Sequence, residues 1–156
     1  MFGKLKKEQM VNKMTAEELL EQGEAYQTQN PEKAFQYYFQ AANMGNPKAM
    51  QKVAQCYLYQ GRGAEFDIEK SAYWYEKAAE SGEVKAMAML AWHYMAGIAV
   101  SQSDDMARKW MEKAIEKGDE KTAMVVKREL DDYENKKSVV TALFRTAVEM
   151  GGIPSK

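Results

Sequence analysis

The chain has 156 residues, 46% hydrophobic and 29% charged, with a formal net charge of −1 at pH 7. That length suits one ordinary domain or a short repeat array, and the near-neutral balance argues against a general nucleic-acid binder, which needs a basic surface to displace counterions from phosphates. Three Pro and ten Gly are too few for a disordered or collagen-like chain.

Residues 1–14 hold Lys4, Lys6, Lys7 and Lys13 against Glu8 and read as a basic lead-in, either frayed or a docking tail for an acidic surface. No apolar run follows these lysines, as a secretory signal would require. No stretch of about 18 apolar residues suggests a membrane span. A cytoplasmic chain that keeps off membranes is expected. Thr15 and Glu18 have the spacing of a capping box, and the helix that follows, 15–28, carries Leu19, Leu20, Gly23 and Tyr26 at helical spacing. Asn30-Pro31 opens the next helix, with Ala34, Tyr37, Tyr38, Ala41 and Ala42 inward and Gly45 after it, since Asn caps and Pro is tolerated in a first turn.

Asn46-Pro47 repeats that signal for a helix over 47–60 with Met50, Val53, Ala54 and Tyr57. Asp67 caps a helix bearing Ser71, Trp74, Tyr75, Ala78 and Ala79, stopped by Gly82. The helix over 84–96 has Met87, Leu90, Ala91 and Tyr94. Ser103 caps another, with Ala107, Trp110, Met111, Ala114 and Ile115, ending at Gly118. A helix over 120–132 carries Ala123, Val126 and Leu130. A polar break, DDYENKK (131–137), then separates it from a last helix with Val140, Leu143, Phe144, Ala147 and Val148, closed by Gly151. No period-2 alternation appears, so no strand is expected.

The helix ends align as AANMG (41–45), AAESG (78–82), AIEKG (114–118) and AVEMG (147–151), with glycines 37, 36 and 33 residues apart. A small residue stands three before Tyr at Gly23/Tyr26, Ala54/Tyr57 and Ala91/Tyr94. Ala and Gly let backbones approach closely and the aromatic rings fill the gap beyond. One such pair cannot bury its own apolar face, so copies must stack. The chain therefore divides into the lead-in 1–14, a repeat domain over 15–151 with copies at about 15–46, 47–82, 83–118 and 119–151, and a tail 152–156.

DIEKSAYWYEKAAESG (67–82), AMAMLAWHYMAG (86–97) and KAMQKVAQCYLYQGRGA (48–64) resemble the Sel-one-like repeat (SLR), a branch of the tetratricopeptide (TPR)-like superfamily. The resemblance implies an all-α, right-handed alpha-alpha superhelix, a TPR-like solenoid of about four helix pairs. It also implies a non-catalytic module for protein–protein interaction, an adaptor or scaffold, without a cofactor. An inhibitor or regulator of a partner enzyme is the alternative. Relatives with paired cysteines in each repeat are linked to β-lactam hydrolysis; this chain has Cys56 alone, which removes their framework and leaves a hydrolase as the least favoured expectation.

Little else points to chemistry. His93 is the single histidine, which excludes a histidine cluster, and Cys56 has no CxxC partner for zinc or redox work. His93 reads as a packed helix residue and Cys56 as a buried small hydrophobe. Gly61-Arg62-Gly63 lacks the Gly-Lys-Ser/Thr of a phosphate loop and reads as a helix end and loop. Asp104-Asp105 suits the positive end of a helix dipole, and Asp131-Asp132 a solvated break.

In TPR-like superhelices the first helix of each pair lines the concave face. By resemblance those are 15–28, 47–60, 84–96 and 120–132. Positions beside their packing stripes would face the groove: Leu20, Glu24 and Gln27; Gln51, Gln55 and Leu58; Ala88, Trp92 and Met95; Met124 and Arg128. The expected partner-binding residues are Gln51, Gln55, Leu58, Ala88, Trp92, Met95 and Arg128, holding a peptide or helix of a protein partner. Trp92 is either a groove aromatic or buried between repeats. The apolar face of the last helix, with Val139 beside the residues above, would pack on the fourth copy, and what remains of it could pair two chains into a homodimer.

Overall fold

The polar residues that mark helix starts in the sequence act as caps. The computed structural model describes residues 14–149, with side chains for 14–128 and 130–136. The Thr15 hydroxyl accepts from the Glu18 N–H at 3.2 Å, and the Glu18 carboxylate accepts from the Thr15 N–H at 2.8 Å. Asn30, Asn46, Asp67 and Ser103 each accept from the backbone N–H three residues on. Each cap is worth about 1 kcal/mol against Ala. They start five of the seven helices among the described residues, α1 (Ala16–Tyr26), α2 (Pro31–Asn43), α3 (Pro47–Leu58), α4 (Ile68–Glu80) and α6 (Asp104–Lys117). The helix α5 (Val84–Ala96) has no side-chain cap, and at the start of α7 (Glu120–Glu149) Asp119 accepts from the Thr122 N–H. Among the described residues there is no strand.

Each helix packs chiefly on its neighbours in sequence, which builds a solenoid of hairpins α1–α2, α3–α4 and α5–α6 followed by α7. Alanine makes the close approach. Ala34, Ala41, Ala42, Ala49, Ala54, Ala78, Ala79, Ala86, Ala91, Ala107 and Ala114 are all buried. Tyr38, Tyr75, Met87, Leu90 and Met111 fill the space between them and are buried in turn. Glycine takes this logic furthest at Gly23, where an added Cβ would lie 2.4 Å from Tyr38 Cε1. The core forms one cluster over α1–α3 and a second over α3–α7, and Met50 and Trp74 pack against both. As expected, Cys56 is buried within the first.

The sequence expectation fails at the C-terminal end. The break at 131–137 does not occur: α7 runs unbroken for 30 residues, so three hairpins and one long helix stand where four helix pairs were expected. DDYENKK has neither Gly nor Pro, and Glu and Lys favour helix. Two contacts also tie this segment to α6: the Tyr133 hydroxyl donates to the Asp104 carboxylate, and Arg108 pairs with Glu134 at 2.9 Å. The hydrogen bond to Asp104 is the main reason the Tyr133 hydroxyl is pushed up to about 12. The apolar residues 139–148 lie outside the described side chains, and residues 1–13 and 152–156 outside the described residues.

Candidate functional site

The inward positions of α1 and α3 line two concavities. One, of about 530 Å³, lies between the starts of the hairpins and is bordered by Glu17, Leu20, Glu21, Glu24, Lys48 and Glu83. The other, of about 230 Å³, is closed by the end of α1, the start of α2, α3 and the loop after α3. Its walls include Gln27, Pro31, Ala34, Tyr38, Lys52, Gln55, Cys56 and Arg62. Glu24, Gln27 and Gln55, positions beside the packing stripe, thus border open space, while Leu20 is buried in the core and only edges the larger concavity.

The proposed groove residues divide by exposure. Trp92 is 42% exposed and Arg128 is exposed. Leu58, Ala88 and Met95 are half-buried and pack against one core cluster, leaving an edge open. Gln55 is half-buried in the wall of the smaller cavity. Gln51 is buried at 8% exposure. The reason is positional: α3 is flanked by both α2 and α4, so more of its surface is covered than the surface of an end helix. Met124, one turn before Arg128 on α7, is 67% exposed.

Trp92 lies against its chain neighbour His93. The two rings meet edge-on, with centroids 5.4 Å apart. His93 is fully buried, its Nδ1 3.1 Å from the Ile98 carbonyl oxygen. Two residues on, the Met95 carbonyl accepts from Gln102 Nε2 at 3.1 Å, so the end of α5 is braced by the following loop. Trp74 and Trp110, at the repeat's own aromatic position, are partly buried and buried respectively.

The smaller cavity is chemically different. Lys52 and Arg62 stand at its edge, and no carboxylate lines it. Burial pushes the Cys56 thiol up to about 11, so at pH 7 Cys56 is a neutral part of the wall. Burial likewise raises the Tyr38 hydroxyl to about 12. Sequence reasoning placed Gln27 and Gln55 on the inner face but missed Lys52 and Arg62. The local signal was Gly61-Arg62-Gly63, where two glycines with positive φ flank one cation. No group of three or more His, Cys, Asp or Glu side chains able to hold a metal occurs among the described residues. No described helix is long and apolar enough to cross a membrane.

Stacked helical hairpins with an alanine-lined core define a helical-repeat solenoid. The Sel1 repeat profile matches at residues 14–46, 47–83 and 84–119, and the chain belongs to the Sel1 repeat family. A solved Sel1 repeat protein from Oxalobacter formigenes is 33% identical, with a TM-score of 0.66 over 75% of this chain and 88% of that one. A protective antigen of uropathogenic Escherichia coli with an SLR fold is 29% identical, with a TM-score of 0.63 over 67% of this chain and 23% of that one. Helicobacter pylori cysteine rich protein B is 26% identical, with a TM-score of 0.56 over 62% and 71%. Among curated proteins, "Activator of C kinase protein 1" of Saccharomyces cerevisiae is 32% identical over 58% of this chain and 16% of its own length. "Chitin synthase regulatory factor 3" of Schizosaccharomyces pombe is 37% identical over 53% and 9%. The chain thus spans under a fifth of these two relatives. Sel1 repeats serve generally as protein-interaction modules.

Proposed function

We propose that this chain is a non-catalytic adaptor that receives a peptide segment or helix of a protein partner along the inner faces of α1, α3, α5 and α7. The observation that carries this is Trp92: a large indole left 42% exposed on an inner helix whose neighbouring positions are packed. Trp and Arg are the side chains that most often anchor interfaces, and Met adapts to varied partners. Trp92, Met95, Leu58, Ala88, Gln55 and Arg128 would supply the contact, with Gln51 behind them as a wall. The test replaces Trp92 with Ala, checks folding by circular dichroism, and measures binding of partners first identified by pull-down with the wild-type chain. Loss of about 2 kcal/mol or more, the scale of an anchor residue, is expected; unchanged binding sinks the site.

A regulatory role is the second reading. It is supported by the names of the two curated relatives, a kinase activator and a synthase regulatory factor. In that case the bound partner is an enzyme, and its turnover changes when the chain is added at stoichiometric concentration.

A further inference from the structure

The cavity between the first two hairpins has two cations, Lys52 and Arg62, in its lining and no carboxylate. Gln27 Oε1 lies 3.1 Å from the Tyr38 hydroxyl and 3.5 Å from Lys52 Nζ, both donating to it. Those two bonds fix which end of the amide is oxygen and leave its NH2 end as a donor without a hydrogen-bond partner among the described residues. Lys52 also pairs with Glu24 at 3.3 Å, a contact whose carboxylate is half exposed and therefore weak and easily rearranged. Arg62 has no ion pair among the described residues; its guanidinium stands 5.5 Å from the Tyr59 ring centroid.

The backbone sets Arg62 there. Gly63 has φ +91°, and a Cβ on it would fall 2.0 Å from the Pro31 carbonyl oxygen. The loop is thus seated directly on the first turn of α2, as only glycine permits. At its far end the Asp67 N–H donates to the Tyr57 carbonyl at 2.9 Å. Arg62 is carried on a loop tied at both ends.

Size and charge select the ligand. About 230 Å³ is below the roughly 300–1,000 Å³ of small-molecule pockets and suits a single side chain or chain end. Pro31, Ala34 and the Tyr38 ring offer an apolar wall to its carbon stem. Glu24 offsets the Lys52 charge, so the pair of cations has a net charge of about one, while Lys52, with three donors, keeps one beyond Glu24 and Gln27 for a ligand. That net charge matches a monoanion better than a phosphate dianion.

We propose that this cavity is a carboxylate-binding site, in which Arg62 and Lys52 take the acidic group of a bound peptide, either its C-terminal carboxylate or an Asp or Glu side chain. The proposal rests on the peptide-binding reading above and gives the partner segment its chemistry.

The test uses fluorescein-labelled random octapeptide pools and fluorescence anisotropy with the whole chain. One pool has a free C-terminus and no internal acid, a second is the same pool amidated, a third is amidated with one Glu, and a fourth is amidated with one phosphoserine. The free-acid or Glu pool should bind about tenfold more tightly than the plain amide, the scale of a charge-assisted hydrogen bond, and which of the two wins tells the source of the carboxylate. The preference should vanish in Arg62→Gln, a surface change whose folding circular dichroism verifies, and shrink in Lys52→Gln. Equal binding of the first three pools, binding by none, a preference that survives Arg62→Gln, or strongest binding of the phosphoserine pool overturns the proposal. Trp92→Ala separates the two readings: it should weaken all pools alike if the groove is used, whatever the acid preference.

Discussion

His93 is the residue on which the pH dependence of the fold just below neutrality turns. The capping carboxylates Asp67 and Asp119, both held below the usual range by the backbone N–H groups they cap, titrate in stronger acid. The His93 ring is fully buried between Tyr75 and Trp92. With Nδ1–H donating to the Ile98 carbonyl, Nε2 is a buried lone pair without a hydrogen-bond partner among the described residues. Desolvation by burial lowers its pKa, and the bond to Ile98 offsets that in part. The folded pKa therefore lies below the unfolded value of about 6.5. Neutral His93 contributes its full stability above that value. As pH falls below it the unfolded chain takes up the proton first, and stability is lost progressively down to the folded pKa. The urea midpoint should drop between about pH 7.5 and 5.5 on this account. His93→Gln, which keeps a donor for the Ile98 carbonyl, should start lower and show a flatter profile over the same range.

Gly23 offers a second check at this scale. Ala gains up to about 1 kcal/mol of helix propensity over Gly, but its Cβ would press into the Tyr38 ring at 2.4 Å, and that ring is itself buried. Overpacking of this kind costs about 1–3 kcal/mol, so the clash wins. Gly23→Ala is expected to lower Tm, and a rise in Tm would mean that α1 and α2 do not approach as described.

Among the elements, α7 departs furthest from its sequence. Its polar segment reads as a break when scanned for apolar spacing alone, because in DDYENKK only Tyr133 can continue a packing stripe. What keeps it helical is its lack of breakers and its links to α6, through Tyr133 to Asp104 and Glu134 to Arg108. Those pairs are distant in sequence, so no window along the chain contains them. A proline separates the two views. Asp132 is exposed, and Asp132→Pro would sit harmlessly in a loop but costs about 3 kcal/mol or more inside a helix. We expect weaker ellipticity at 222 nm from loss of the far part of α7, with the three hairpins melting as before.

Across the whole molecule, what could be read in advance was what is local. The caps at Thr15, Asn30, Asn46, Asp67 and Ser103, and the small-residue spacing of Ala and Tyr, each fit within one helix, and the repeat multiplies them. The site was legible only in part. Trp92 stood out because it falls beside its stripe, but the sequence left open whether it is buried between repeats or exposed; it is exposed. The burial of Gln51 depends on α3 having a helix on either side. The cavity with Arg62 depends on Gly63 meeting Pro31 across 32 positions of chain. Neither relation is written in any one segment.

The contact of each helix with its sequence neighbours also bears on how the chain acquires its shape. Only short stretches must be brought end to end, so the entropy of loop closure stays small at every step. Ordering can begin at any hairpin and spread in both directions, one helix at a time. A chain whose contacts are this local belongs to the fast end of the range of folding rates.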